Sequence, residues 1–520
     1  GGGRGGNNAC AAATAPIIAR AYADLQQATT DQEIGFAVVA TDSTAGSLAY
    51  RWDFGDGTTA DGSSVLKKYA RAGNYRITVK ASNGCNLSSQ AQVDVVISWK
   101  PLTVAWVRRI GLTGFKTSAD KTALNAVGVD RVGNPIVVGE TGCGSCHFTR
   151  PTLISSITSS GTSSEPDPPA LGSEGLISKF SALGNRTWIR RLGVLTANEI
   201  FHRGTCARAL SPSSIDDTVL VGGSILDCDS LTRTPARFDA EVLTEPSGFV
   251  ARYNDSGQQL WAKVLKNEQA LAVSSGSDNS IFLATSSPSP QSKPTSTLRR
   301  LATTGEELWK TAVLSPVFAE ELTIRAIALS QDKSNVYIVG KKIGPIAGQS
   351  SAGGADIFAA RFDTQGTLIW AKLLGQAGDD DGRALSVSSD GALYIAGACA
   401  DTACLFKLAT DGTIAWTKTL EGRTANAVIV ATDGSLYVGG DVASAQSNNP
   451  PDTKIFITRL FPDGTKAQTQ IFGDGRESLR GLAQSPDKVI YASGVSGSLD
   501  FLGVARVSSD LDGFLMKLQP

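Results

Sequence analysis

Residues 383–416 read RALSVSSDGALYIAGACADTACLFKLATDGTIAW. Two hairpins are written in this stretch. In the first, an apolar strand meets the polar turn SSDG and returns as ALYIAG; in the second, CLFKLAT and TIAW flank a turn that carries Asp-Gly. The same wording recurs along the chain. A glycine followed four residues later by tryptophan stands at Gly184/Trp188, Gly257/Trp261, Gly305/Trp309, Gly366/Trp370 and Gly412/Trp416. An earlier hairpin accompanies it, seen also as NAVGVDRVGNPIVVG, ARALSPSSIDDTVLVGG, LAVSSGSDNSIFLATS, RAIALSQDKSNVYIVG, ANAVIVATDGSLYVGG and RGLAQSPDKVIYASG, which makes seven copies in all. Four antiparallel strands per unit, repeated at variable spacing, is the pattern of β-propeller blades.

The two ends of the repeat region complement each other. LTVAWVRRIG, at residues 102–111, matches the outer strand NRTWIRRLG, while the carboxyl-terminal DGFLMKLQP matches a third strand. The last unit therefore lacks its outer strand, and the segment around Trp106 is expected to supply it, which removes the exposed sheet edges. The expected fold class is all-β: a small sandwich followed by a seven-bladed propeller over residues 102–520, closed by that amino-terminal strand.

The sandwich is read from residues 15–98. In YRWDFGDGT, Tyr50, Trp52 and Phe54 share one face before Gly55-Asp56-Gly57 turns the chain, and Tyr75, Ile77 and Val79 repeat the alternation in GNYRITVKASNG. Residues 1–14, with GGGRGGNN, read as a flexible glycine-rich tether. The WDFGDG run, followed by KKYARAGNY, resembles the polycystic-kidney-disease-type (PKD) domain over about 85 residues. That resemblance implies an extracellular spacer or adhesion module, in some members with calcium. Asp53 and Asp56 are its candidate ligands, although aspartate in a tight turn is more often there for the backbone.

A second resemblance covers residues 102–520. GQAGDDDGRALSVSSDGALYIAG and GDGRESLRGLAQSPDKVIYASG are similar to the bacterial beta-propeller repeat family (SBBP), with its G-x-G-D segment, D-x-G turn and L-Y-x-x-G strand. The chain departs from it in the sixth unit, where Gln468 stands in place of tryptophan, and in long insertions of the first two. The family implies a fold more than a reaction.

Composition narrows the classes. Charged residues make up 19% and the formal net charge is −1, without a basic stripe, which argues against a nucleic-acid partner. No apolar run approaches the length of a membrane span. Eight cysteines, several closely spaced, fit an oxidising compartment and an exported chain at the cell surface, with a cleaved signal or a lipid-bearing cysteine upstream of residue 1 compatible with the glycine run. The economical pairing is Cys10–Cys85, Cys143–Cys146, Cys206–Cys228 and Cys399–Cys404.

Three constellations are candidate sites. Cys143-Gly-Ser-Cys146-His147 spells a covalent haem attachment, and the second histidine of the chain, His202, is the other candidate axial ligand; against haem stands a Ser, Thr and Pro-rich surrounding that excludes no water. Asp379, Asp380 and Asp381, with Asp474, are candidate calcium ligands or turn caps paired with Arg383 and Arg476. Long connections at 140–174, 224–245, 342–354, 442–453 and 496–511 share one face of the propeller and are its candidate binding surface. The expected function is non-enzymatic binding or scaffolding outside the cell, with an envelope or filament protein, a glycan or a second copy as partner. Haem electron transfer and a polysaccharide-acting enzyme are the alternatives, the latter without a motif that singles out a pair of carboxylates.

Overall fold

The computed structural model describes residues 10, 13–43, 47–113, 120–143, 152–155, 174–192, 205–225, 236–238, 241–243, 246–287, 295–314, 321–443, 453–465, 467–507 and 510–520. Among them there is no helix: every regular element is a strand. The chain divides into two compact units between Pro101 and Leu102.

In the first unit, a three-stranded sheet (Ile17–Ala23, Glu33–Thr41, Ser64–Lys68) and a five-stranded sheet (Gln27–Thr29, Ser88–Ser98, Gly73–Ser82, Ala49–Asp53, Thr59–Asp61) enclose one core. Trp52, Phe36 and Phe54 form its aromatic centre, with Trp52 donating its indole N–H to the Gly62 carbonyl at 3.0 Å and Tyr69 its hydroxyl to the Phe54 carbonyl at 3.1 Å. A buried Trp or Tyr needs such a partner, because an unpaired N–H or O–H in the core costs about 1–3 kcal/mol. The aspartates of the WDFGDG run serve the turn. Asp53 accepts from the Gly55 N–H at 2.9 Å, and Asp56 accepts from the Thr58 N–H at 3.0 Å and pairs with Lys67 at 2.6 Å. Cys10 and Cys85 are joined as expected.

The second unit is a propeller-like succession of antiparallel sheets. Sheet 1 comprises Asp120–Val129, Pro135–Cys143, Glu174–Phe180 and Arg186–Leu192; sheet 2 comprises Thr205–Pro212, Val219–Ile225, Ser247–Tyr253 and Gln259–Leu265. Sheet 3 is Gln269–Ser275, Ile281–Ser286, Ser296–Leu301 and Glu307–Ala312; sheet 4 is Leu322–Leu329, Asn335–Ile343, Ala355–Asp363 and Leu368–Leu374. Sheet 5 is Asp380–Val387, Leu393–Cys399, Thr402–Leu408 and Ile414–Thr419; sheet 6 is Thr424–Val430, Leu436–Ala443, Thr453–Leu460 and Gln468–Phe472. Sheet 7 takes Glu477–Gln484, Ile490–Ser496 and Asp512–Gln519 from the carboxyl-terminal part, and its next strand is Thr103–Thr113. Trp106 pairs with Lys517, and Val107 with Met516. A further short strand, Thr152–Ser155, lies outside it.

Each apolar core is shared by two successive sheets. Phe249 and Val138 sit in the core between sheets 1 and 2, Leu283 and Val250 between 2 and 3, Phe358 and Phe282 between 3 and 4, and Ile395 with Val339 between 4 and 5. Phe456 and Tyr394 belong to sheets 5 and 6, Met516 and Ile457 to 6 and 7, and Leu515, Tyr491, Val137 and Phe180 to sheets 7 and 1.

The Gly-to-Trp spacing has a structural cause. Each tryptophan lies in the outer strand of one sheet and packs on the turn of the next. Trp188 donates to the Asp255 carbonyl at 2.8 Å, Trp261 to Thr303 at 2.9 Å, Trp309 to Thr364 at 3.1 Å, Trp370 to Thr410 at 3.0 Å and Trp416 to Pro462 at 3.2 Å. Trp106 does the same for sheet 1, reaching Ala182 at 3.2 Å. The turn glycines Gly184, Gly257, Gly305, Gly366, Gly412 and Gly464 have positive φ, and a Cβ on any of them would press into the indole. Gln468 occupies the tryptophan position of sheet 6, opposite Arg459. Sheet 7 has no turn between its third and outer strands, because those strands come from distant parts of the chain. With no turn to clasp, the tryptophan has no task; instead Gln470 clasps Leu102, accepting from its N–H at 2.7 Å and donating to its carbonyl at 3.1 Å.

Candidate functional site

The inner strand of every sheet carries one β-bulge, always at the corresponding position. Pairing skips Asn125 in sheet 1, Arg208 in sheet 2, Leu271 in sheet 3, Arg325 in sheet 4, Arg383 in sheet 5, Asn426 in sheet 6 and Arg480 in sheet 7. A bulge frees one residue from the alternation of the ladder and re-aims its side chain. All seven then line a single pocket of about 270 Å³, with the alanine or, in sheet 7, the glycine that follows each of them. Opposite the bulge the second strand carries Gly139, Gly223, Gly340, Gly397, Gly440 and Gly494, where a Cβ would collide with the carbonyl oxygen of the inner strand. Sheet 3 alone departs from the rule. It has Thr285 in the glycine position and an apolar Leu271 in the pocket.

The pocket's polar groups are organised by two copies of one arrangement. Arg383 donates to the Asn426 carbonyl oxygen at 2.9 Å, and Asn426 donates to the Leu479 carbonyl at 2.9 Å, beside the bulge of the next sheet. Arg480 likewise donates to Asn125, and Asn125 donates to the Ala207 carbonyl at 2.9 Å. Each asparagine also faces a carboxylate: Asp441 for Asn426 at 3.0 Å, and Glu140 for Asn125 at 3.5 Å. Arg325 grips Asp381 with two N–H groups, both at 3.3 Å, and Arg383 Nε lies 3.4 Å from the same carboxylate. Glu140 pairs in register with Ala123 and Asp441 with Thr424, while Asp381 precedes Arg383 by two residues. The charged tier therefore lies on the side of the long connections. Val127, Leu210, Ile327 and Leu482 line the other side, towards the tight hairpins.

Confinement tunes the charges. Desolvation holds the Arg480 guanidinium below its ordinary pKa, against the opposing pull of Glu140 and Asp441, and burial pushes the Asp441 carboxyl up despite bonds from Ser478, Leu479 and Asn426. Surrounded by protein yet open to the pocket, these groups interact more strongly than on a free surface.

The sites expected from sequence motifs are placed differently. Asp379, Asp380 and Asp381 diverge: Asp379 faces Lys341 at 3.4 Å, Asp381 faces Arg325, and Asp380 is fully buried, accepting from the N–H groups of Gln376 at 2.7 Å and Ala400 at 3.1 Å. Asp474 belongs to another connection and accepts from Ser498. The four do not form one donor set, and among the described residues no three acidic, histidine or cysteine side chains converge as a metal site would require. What these glycine-containing connections provide is a buried carboxylate that ties one connection to its neighbour. Gly375 leaves room for Asp380, and Gly473 for the corresponding Glu477, which accepts from the Gly475 N–H at 2.9 Å. Burial raises the pKa of both carboxyls.

Cys399 and Cys404 are bonded to each other across a hairpin, and Cys206 is disulfide-bonded. Cys143 ends the second strand of sheet 1. Cys146, His147, His202 and Cys228 lie outside the described residues, and with them the haem constellation and the expected 143–146 and 206–228 pairings. Of the bulge residues the sequence reading names Arg383 alone, as a partner of the aspartates, although a signal exists for the others. In the repeats they are the Asn or Arg that opens NAVGV, RALSP, RAIAL, RALSV, NAVIV and RGLAQ.

Comparison with known proteins identifies residues 13–97 as a PKD domain. Among solved structures the first unit is similar to the PKD1 domain of the Vibrio cholerae metalloprotease PrtV, with 24% identity over 16% of this chain and 96% of that one and a TM-score of 0.14. A Hadza microbial sialidase aligns over 88% of this chain and 80% of its own at 9% identity and a TM-score of 0.39. A luciferin-regenerating enzyme aligns over 61% and 92% at 10% identity and a TM-score of 0.35. No curated protein matches the chain. The PKD domain and the disulfides fit an extracellular protein, and among the described residues no helix is long and apolar enough to cross a membrane.

Proposed function

We propose that this chain is a non-enzymatic extracellular binding protein, in which a PKD domain accompanies a seven-bladed propeller of the bacterial beta-propeller repeat type. The pairing of Thr103–Thr113 with Asp512–Gln519, and the core shared by sheets 7 and 1, support a ring closed by strand exchange between distant parts of the chain. The observation that carries the binding function is the convergence of seven bulged residues on one pocket, four of them arginines. A bulge re-aims one side chain, and here seven equivalent bulges aim theirs at one place.

Binding is favoured over catalysis by the state of the carboxylates. Asp381 is gripped by Arg325, and Asp441 accepts from Asn426, Ser478 and the Leu479 N–H, so the oxygens of both are engaged by the protein itself. The charged tier directs the partner, a glycan or a protein of the envelope, to the face of the long connections. The full chain, labelled and applied to arrays of envelope polysaccharides and surface proteins, is expected to bind without releasing reducing ends from any polysaccharide it retains. Product release that follows the amount of bound chain would replace this function with a hydrolytic one.

A further inference from the structure

Two tiers meet in the pocket, and together they select a ligand class, an inference that rests on the binding function above. Past the bulged residues and the small residues that follow them, Val127, Leu210, Val273, Ile327, Val428 and Leu482 form an aliphatic ring, one from each sheet but the fifth. Leu271 carries apolar surface into the polar tier itself. That tier holds four arginines and two asparagines but no carboxylate, since Glu140, Asp381 and Asp441 hold lining residues without lining the cavity themselves. The arginines differ in their partners. Asp381 answers two of them, accepting two N–H groups of Arg325 and facing Arg383 Nε at 3.4 Å. Arg480 has no such carboxylate. Among the described residues its one hydrogen bond runs from Nη1 to Asn125, a neutral amide, and Nε and Nη2 meet no protein acceptor, although the residue keeps exposed surface in the cavity. Glu140 and Asp441 pull on it from a greater distance, each bonded to an asparagine, and Arg208 sets a like charge against it. The edge through Nε and Nη2 carries two parallel N–H groups, the arrangement that matches the two oxygens of a carboxylate.

We infer that the pocket receives one small amphipathic carboxylate, its two oxygens on the Nε–Nη2 edge of Arg480 and its apolar body against Leu271 and the aliphatic ring. Both tiers are needed for this choice. An inorganic anion leaves the aliphatic ring in contact with water, and each methylene that replaces that water adds to affinity. A neutral apolar molecule cuts the guanidinium edge off from water without pairing it, which a confined site penalises. Desolvation already holds this guanidinium below its ordinary pKa, and an anion at its edge restores the compensation that burial removes. Size agrees, since about 270 Å³ lies just under the range of about 300–1,000 Å³ typical of drug-sized ligands and leaves room for one small molecule. Asn125 acts as a positioning residue: its carbonyl oxygen fixes Nη1 of Arg480, and its amide is engaged by the Ala207 carbonyl at 2.9 Å.

Titration calorimetry and ligand-observed NMR on the full chain test this with hexanoate and benzoate, against acetate, inorganic sulfate and hexanol. Hexanoate or benzoate is expected to bind saturably at one site per chain, with acetate, sulfate and hexanol at least tenfold weaker. Arg480→Gln is expected to weaken it tenfold or more, and Arg480→Lys less, because an ammonium keeps the charge but not the paired N–H groups. Leu271→Asn, which gives sheet 3 the residue that sheets 1 and 6 carry at the bulge, should narrow the gap between hexanoate and acetate. Arg131→Gln, on the surface and paired with Asp217, leaves binding unchanged. Thermal melts of each variant separate lost binding from lost fold. Acetate, sulfate or hexanol binding as tightly as hexanoate and benzoate, or no saturable binding of either by the unaltered chain, overturns the assignment. Array binding by a chain that takes up neither hexanoate nor benzoate would leave the extracellular binding function standing while removing the carboxylate from it.

Discussion

At the scale of residues, single atoms decide what is tolerated. Gly340 sits opposite the bulge of sheet 4, where a methyl group would meet the Thr323 carbonyl oxygen. Gly340→Ala is expected to cost about 1–3 kcal/mol through backbone displacement, read from denaturant midpoints. Gly84→Ala, with open space around it, should stay within about 0.5 kcal/mol of the parent. Glu477 offers a pH signature. Its carboxyl titrates above the ordinary 4.5 because burial disfavours the charged form. Between 4.5 and that raised value the folded chain holds a proton the unfolded chain has released. The contribution of this group is therefore greatest below pH 4.5 and declines as pH rises through the raised value. Glu477→Gln should flatten this part of the stability–pH profile, and profiles that remain parallel would show the group to be unimportant.

At the scale of elements, the fold is a series of clasps between one outer strand and the next turn. Trp188 is 8% exposed, and Trp188→Ala is expected to cost about 3–5 kcal/mol. Gln468→Trp should gain nothing beyond about 0.5 kcal/mol, although it restores the repeat, because no turn awaits the indole in sheet 7. A gain comparable to the Trp188 loss would show that burial of the indole rather than the clasp on a turn carries the energy. The repeat was legible because alternation, turn glycine and tryptophan lie within one hairpin, where neighbours in sequence are neighbours in space. Gln468 looked like a defect in that reading. Its reason lies in the strand exchange that deprives sheet 7 of a turn, which no local pattern can express.

At the scale of the whole molecule, the joining of distant segments rests partly on a buried ion pair. Arg109, in Thr103–Thr113, meets Asp512, in Asp512–Gln519, at 2.9 Å with both side chains inaccessible, and also donates to the carbonyls of Ser498 at 2.9 Å and Val504 at 3.1 Å. Breaking such a pair from one side leaves a buried charge, so Arg109→Met is expected to cost about 3–5 kcal/mol, and the double variant Arg109→Met/Asp512→Leu to recover most of it. Equal melts for the single and double variants would count against this role. The all-β class, the PKD domain, the strand that completes sheet 7 and two of the disulfides were readable from residue order, since side-chain alternation and turn chemistry are local properties of a chain. The aspartate run parts for a similar reason: Asp379 precedes the strand that begins at Asp380, and Asp380 and Asp381, neighbours within it, point to opposite sides, where Asp381 meets Arg383 as the turn-cap alternative expects. The arginine pocket belongs to tertiary structure alone. Each sheet contributes one bulged residue to it, Asn125 and Arg480 meet across most of the chain's length, and only when all seven inner strands stand together do isolated Asn and Arg side chains become one charged site.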